Sequence, residues 1–288
     1  MGTARRTFEF AGRTREYLVT APDATWFGDV GTQESAPALV LNLHGFTSNM
    51  TQQAAYSRVP ERAAARGWIT VTPQGLGRMP HWTVPPMPGT DDAGFLLALA
   101  AQSEAEMSTD PQRVYATGIS NGAAMITKLA TMQPARFAAI APVAGINAVL
   151  VEPPTAPPVP VIAFHGTGDK LVPFGGGRLF EGVRGARRRG PVRRRRAGGF
   201  VLDAVEAVVA RWAVANGCGE AHRVATIGGD VRHVTYPSGG LGRVELYAVQ
   251  GGGHTWPGSV DVARLGATTH SIDATELMLD FFARFSRS

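Results

Sequence analysis

The sequence predicts a doubly wound α/β fold, a mostly parallel β-sheet covered by helices on both faces and edged by antiparallel strands at its N-terminal side. Three observations carry this prediction: strand-like and helix-like stretches alternate along the chain, several strand-like runs are continuously apolar, and many of them end in glycine. The length of 288 residues and a hydrophobic content of 44% allow one full core, so a single domain is expected over 1–288.

Each element has its own signature. RTFEFAG and RTREYLVTAP alternate apolar and polar side chains as half-buried antiparallel strands do, whereas ALVLNLHG from Ala38 is the unbroken apolar run of a parallel strand buried on both faces. One helix is expected from about Thr51 to Arg66, followed by the strand WITVTPQG and a loop rich in proline and glycine through Gly89. Asp91 and Asp92 open an apolar helix ending near Met107, where their carboxylates can cap free N–H groups. The strand RVYATG, a helix from about Asn121 to Met132 and the strand FAAIAPVAG come next. PPTAPPVP leads into the strand PVIAFHG, a helix is expected from about Phe200 to the stop at Gly217, and RVELYAVQ is expected as the last strand. A C-terminal helix from Asp273 to about Phe285 closes the chain.

Composition excludes several classes of function. No run of about 18 apolar residues offers a membrane span, and MGTARRTFEF lacks an apolar stretch of signal-peptide type. The chain as written is therefore expected in the cytoplasm, or outside the cell if its N-terminus has been trimmed. Cys218 is the only cysteine, which rules out an internal disulfide and a cysteine-based zinc site, and it reads as a small apolar residue near a helix end. The net charge of +5 is concentrated: eight arginines lie between Arg184 and Arg196, and without them the balance is −3. Basicity thus belongs to one segment, at about 182–199, which reads as a solvated surface loop, with an anion-binding lid as the alternative.

Chemistry concentrates in three places. Gly118-Ile119-Ser120-Asn121-Gly122 fits G-x-S-x-G and sits between a strand-like and a helix-like run, the context that a nucleophile elbow requires. Ser120 is the candidate nucleophile, the bland alternative being a serine that only caps the next helix. The main-chain N–H of Asn121 is one candidate oxyanion donor and that of Phe46, in LNLHGFTSN, the other, with Gly45 permitting the turn and His44 read as hydrogen-bonded to backbone. Asp169 lies four residues after the strand PVIAFH, while Asp203 is read inside a helix and Asp230 in a glycine turn. Of the four histidines that follow it, His254 alone sits in a glycine-rich loop directly after an apolar strand, in VQGGGHTWPG; His233 and His270 read as structural. Ser120, Asp169 and His254 then stand in the order nucleophile, acid, base, a chemistry that requires neither a metal nor an organic cofactor.

Together LHGFTSN, the DDAGFLLAL helix, DPQRVYATGISNGAAM, APVAG, HGTGDKLVPF and GGGHTWPG resemble the polyhydroxybutyrate depolymerase and feruloyl esterase group of α/β-hydrolases, from about Arg13 to the C-terminus. The resemblance implies the α/β-hydrolase fold, the same triad, and hydrolysis of small soluble carboxylic esters: short-chain acyl, hydroxybutyrate-oligomer or hydroxycinnamoyl esters. The chain departs from the group by carrying Ser108 and Thr131 near positions where many members have cysteines. Trp82 resembles a family tryptophan near the active site and Trp256 follows the histidine; both are candidates to wall the acyl or alcohol pocket, or else to pack beneath a loop. A serine peptidase of the same fold and a non-catalytic polyanion binder using the arginine segment are the competing readings. The second has no aromatic residues interleaved among its arginines, so the expected partner is a small ester, not nucleic acid or membrane.

Overall fold

The structure, a computed structural model, describes residues 1–22, 36–85, 89–154, 156–180, 201–219, 222–237 and 243–287. The arginine segment at about 182–199 lies outside the described residues. Ten strands form one sheet: β1 (Gly2–Phe10), β2 (Arg13–Ala21), β3 (Leu39–Leu43), β4 (Ile69–Pro73), β5 (Val114–Ile119), β6 (Ala139–Val143), β7 (Val161–Gly166), β8 (Arg223–Ile227), β9 (Val231–Tyr236) and β10 (Val244–Val249). Their order across the sheet is β1-β2-β4-β3-β5-β6-β7-β10-β9-β8. The central strands from β4 to β10 pair in parallel, and β1 and β2 form the expected antiparallel N-terminal edge.

The opposite edge is also antiparallel. β10 pairs with β9 and β9 with β8, a hairpin that sequence reading missed. Its outer strand is exposed over Arg223–Thr226, so it has no buried stripe to leave a periodic apolar signal.

Six helices cover the sheet: α1 (Met50–Ser57), α2 (Val59–Ala65), α3 (Asp92–Met107), α4 (Asn121–Met132), α5 (Val205–Ala215) and α6 (Ala274–Phe282). Strand residues alternate between two cores. Leu39, Leu41, Val114 and Ala116 join Phe95, Leu129 and Trp212 from α3, α4 and α5. Val40 and Tyr115 join Val59, Ala63, Phe281 and Phe282 from α2 and α6 on the other face. All five residues of β3 are buried, and each buried leucine there contributes on the order of 1.5–3 kcal/mol. Asn42, polar in the middle of that strand, is satisfied from α1: its amide donates to Ser57 Oγ at 3.0 Å and its carbonyl accepts from Gln53 Nε2 at 2.8 Å.

Two helix boundaries and one capping role differ from those read in the sequence. The helix expected over Thr51–Arg66 is two helices, broken at Arg58, which adopts a left-handed φ of 55°. Pro60, in the first turn of α2, cannot continue α1, and the Arg58 guanidinium reaches Asp273 Oδ2 at 2.6 Å and Gly258 O at 3.0 Å. Asp91 caps α3 by accepting from Gly94 N, but Asp92 turns inward to pair with Arg15 at 2.8 Å and to accept from Thr83 N at 2.9 Å. α5 starts only at Val205, because Leu202 is held in a bridge to Gly177; Asp203 therefore precedes the helix and pairs with Arg211. Cys218 is buried just past α5, as its apolar reading implies.

Candidate active site

β5 leads into α4 through Ser120, whose φ of 59° and ψ of −120° no non-glycine residue adopts without strain, on the order of 1–3 kcal/mol. The turn is held by Ser120 N donating to Val143 O and Ala124 N donating to Ser120 O, both at 2.9 Å. Close packing explains the flanking glycines: a Cβ on Gly122 would lie 2.4 Å from Leu43 O and 2.6 Å from His44 O, and one on Gly118 2.8 Å from Leu43 O; Gly145, packed against the elbow, would put its Cβ 2.4 Å from Ser120 O. Ser120 occupies the N-cap position of α4, yet its side chain makes no capping bond, so capping does not account for a serine here.

Across from the elbow, the segment after β3 turns at Thr47, which takes the left-handed φ of 65°; Gly45 does not, contrary to the role expected for it. Among the described residues, neither Phe46 N–H nor Asn121 N–H donates to a main-chain carbonyl, and Asn121 begins α4, where the helix dipole is positive. His44 is fully buried and bonded to backbone on both nitrogens, to Gly45 O through Nδ1 and from Gly75 N to Nε2, each at 2.8 Å. Burial pulls its imidazole down to about 4, the bond to Gly45 O offsetting only part of that, so the ring is neutral at pH 7.

Trp82 completes this brace. Its indole donates to His44 O at 2.9 Å, its N–H donates to Asn121 Oδ1 at 2.7 Å, and its carbonyl accepts from Asn121 Nδ2 at 3.0 Å. Thr47 N donates to Pro80 O at 2.8 Å. Trp256 is tied just as closely, its indole donating to Thr275 Oγ1 at 2.9 Å and its N–H to Tyr56 Oη at 3.1 Å. Both indoles are buried, at 0% and 1% exposure, which places them beneath the site's loops and not on an open pocket wall. The side chains of His44 and Asn121, to which sequence reading gave no part in the site, link the two loops across more than 30 residues.

Asp169 follows β7 and His254 follows β10, neighbouring parallel strands. His254 Nδ1 lies 2.7 Å from Asp169 Oδ2, with both residues buried. Asp169 Oδ1 accepts from Leu171 N at 2.8 Å and Val172 N at 2.9 Å. Burial alone would raise this carboxyl's pKa, but the hydrogen bonds from His165 and His254 outweigh it and hold the group well below the usual carboxylate range. The glycine-rich histidine loop is tied down by main-chain bonds: His254 N donates to Leu265 O at 2.7 Å, Gly253 N to Ala267 O at 2.8 Å and Gly168 N to Gly252 O at 2.9 Å. A Cβ on Gly253 would fall 2.2 Å from Leu265 O, which explains glycine just before the histidine.

The structure thus brings the expected acid and base into contact, while Ser120 Oγ makes no hydrogen bond among the described residues. His233 bonds to Glu245 at 2.8 Å in β9, and His270 is exposed, so both stand apart from this constellation. Among the described residues, no group of three or more His, Cys, Asp or Glu side chains is placed to hold a metal ion, and no helix is long and apolar enough to cross a membrane.

Comparison with known proteins agrees with this architecture. The Prolyl oligopeptidase family profile matches residues 89–156, which contain α3, the Ser120 elbow and β6. "Putative esterase NocK" of Nocardia uniformis subsp. tsuyamanensis is 31% identical, over 97% of this chain and 82% of its own length. "Feruloyl esterase B" of Piromyces equi is 28% identical over 77% of this chain but only 40% of its own length. The acetyl xylan esterase from Aspergillus awamori shares the fold at a TM-score of 0.64 and 13% identity, covering 97% of this chain and 99% of that one. A mostly parallel sheet with a strand–turn–helix at Ser120 near its centre, and a relative 31% identical over 97% of this chain, lead to one conclusion: the chain belongs to the α/β-hydrolase family of esterases that includes NocK.

Proposed function

We propose that this carboxylic ester hydrolase is a single-domain serine esterase that cleaves small soluble esters through an acyl-enzyme. The buried 2.7 Å contact between His254 Nδ1 and Asp169 Oδ2 carries the reading. With the Nδ1 proton committed to the carboxylate, the lone pair of Nε2 is free to act as base. His254 takes the proton of Ser120 Oγ as the hydroxyl attacks the ester carbonyl. Phe46 N–H and Asn121 N–H receive the oxyanion, and the imidazolium returns its proton to the leaving alcohol. Water then repeats the cycle on the acyl-enzyme and releases the acid. Asp169 stays ionised throughout, since two main-chain N–H groups and a histidine neutralise it from different sides. The hydrogen bond between Ser120 and His254 closes when substrate binds, as catalytic contacts commonly tighten in the Michaelis complex.

The substrates proposed are short-chain acyl, hydroxybutyrate-oligomer or hydroxycinnamoyl esters. The match to the Prolyl oligopeptidase family on the nucleophile segment favours amide hydrolysis as the second reading. A panel of nitrophenyl esters of rising acyl length, methyl ferulate, soluble hydroxybutyrate oligomers and a peptide nitroanilide tests both. Turnover of one ester class with the nitroanilide untouched supports the proposal; faster turnover of the nitroanilide replaces it with the second reading.

A further inference from the structure

His165 has no part in the reaction as proposed, yet it stands at the end of β7 with 2% exposure, four residues before Asp169. Its Nε2 lies 2.9 Å from Val172 O and 3.4 Å from Asp169 Oδ2, the same oxygen that faces His254 Nδ1. Facing two acceptors, Nε2 carries the proton, and Nδ1 is left as an acceptor. That Nδ1 is buried and has no hydrogen-bond partner among the described residues; the ring of Phe174 stands edge-on with its centroid 5.8 Å away.

Two consequences follow. The acid loop is gripped at both ends: Asp169 Oδ1 is held by the N–H groups of Leu171 and Val172, while the His165 N–H donates to Val172 O and faces Asp169 Oδ2 from 3.4 Å. The carboxylate cannot rotate away from His254 without giving up bonds on both oxygens. The unpaired Nδ1, for its part, carries a desolvation cost that the bond from Nε2 to Val172 O must offset, so packing alone gives little reason for an imidazole here. A buried imidazole with one nitrogen unpaired, its other nitrogen 3.4 Å from the Asp169 carboxylate, is explained by what it does there.

We propose that His165 is a positioning residue for ester hydrolysis, its shared Nε2–H fixing Asp169 Oδ2 against His254. The inference rests on the reading of Ser120, Asp169 and His254 as the triad. Its test compares His165→Phe, which keeps the ring and removes the donor, with His165→Gln, which restores an N–H donor, on a nitrophenyl ester. The expected result is that His165→Phe stays folded at the assay temperature and keeps KM but loses about tenfold in kcat, the worth of one such bond, while His165→Gln recovers most of the loss. A His165→Phe variant that keeps kcat within about twofold, or loses kcat only in step with its melting temperature, overturns the proposal. If His165→Phe does not fold, His165→Gln decides: kcat near that of the parent supports the proposal, and a folded glutamine variant as slow as Asp169→Asn overturns it. Ser120→Ala and His254→Ala are measured alongside; if either of these keeps its turnover, it is the triad reading that fails, an outcome distinct from any result at position 165.

Discussion

The two halves of the site are fixed by different means. On the nucleophile side, Ser120 and the loops after β3 and β4 are locked by steric fit and a side-chain network, with Gly122 against Leu43 O, Trp82 on His44 O and Asn121 clamping Trp82. On the histidine side, the loops after β7 and β10 lock each other through main-chain bonds, and the side chains carry charge: an ionised aspartate among imidazoles. The nucleophile side should therefore be intolerant of added atoms, and the histidine side of altered charge or lost donors.

The largest expected effect is on the histidine side. His254→Ala should lower kcat about 10⁴-fold and Asp169→Asn about 10³-fold, with melting temperatures changed little, because the proposed triad would act as a unit. Asp203→Asn and His270→Ala, outside the site, serve as controls in the same assay; a control that loses as much turnover without unfolding contradicts the assignment. Next is the nucleophile side, where Gly122→Ala forces a Cβ to within 2.4 Å of Leu43 O and should cost about 3 kcal/mol in a denaturant titration. A variant as stable as the parent would mean that the elbow has room to relax.

A pH titration separates the two halves by window. The His44 imidazole, pulled down by burial to about 4, binds its proton more weakly in the folded chain than in the unfolded one. Its contribution is fully present above about pH 6.5 and is lost as the pH falls toward 4, by on the order of 3 kcal/mol. Asp169, depressed below the ordinary 3.8, contributes above that value and is lost only in stronger acid. Proton NMR should find the His44 ring neutral at pH 5.5; a midpoint near 6.5 would contradict its buried, backbone-bound role. The smallest effect is expected for Trp82→Phe, which deletes the bond to His44 O and should cost about tenfold or less in kcat. An unchanged rate would show that the brace is redundant.

The same contrast explains what the sequence made legible. Glycines two residues on either side of Ser120, and Gly253 just ahead of His254, are there because a Cβ collides with a carbonyl, while Gly251 takes a left-handed φ of 67°, so they leave a pattern that can be read locally. The apolar runs of β3, β5 and β7 are equally plain, since every residue in them is buried. Arg58 breaks the first helix with partners 200 and 215 residues away in Gly258 and Asp273, a contact that no window along the chain contains. The sequence left the tryptophans open between pocket wall and buttress, because a large aromatic beside a catalytic motif suits either and only burial separates the two. His165 was within reach of sequence reading, one turn of HGTGD from the acid, but nothing local says that its ring bends toward Asp169 and not toward solvent.

The central claim is that Ser120 is the nucleophile of an acyl-enzyme. Incubating the protein with a fluorophosphonate and mapping the adduct by peptide mass spectrometry tests it most directly. The account predicts one adduct per chain, on the peptide containing Ser120, with loss of ester hydrolysis in proportion to labelling and no labelling in Ser120→Ala. An adduct on another serine, or full labelling of the alanine variant, would contradict it.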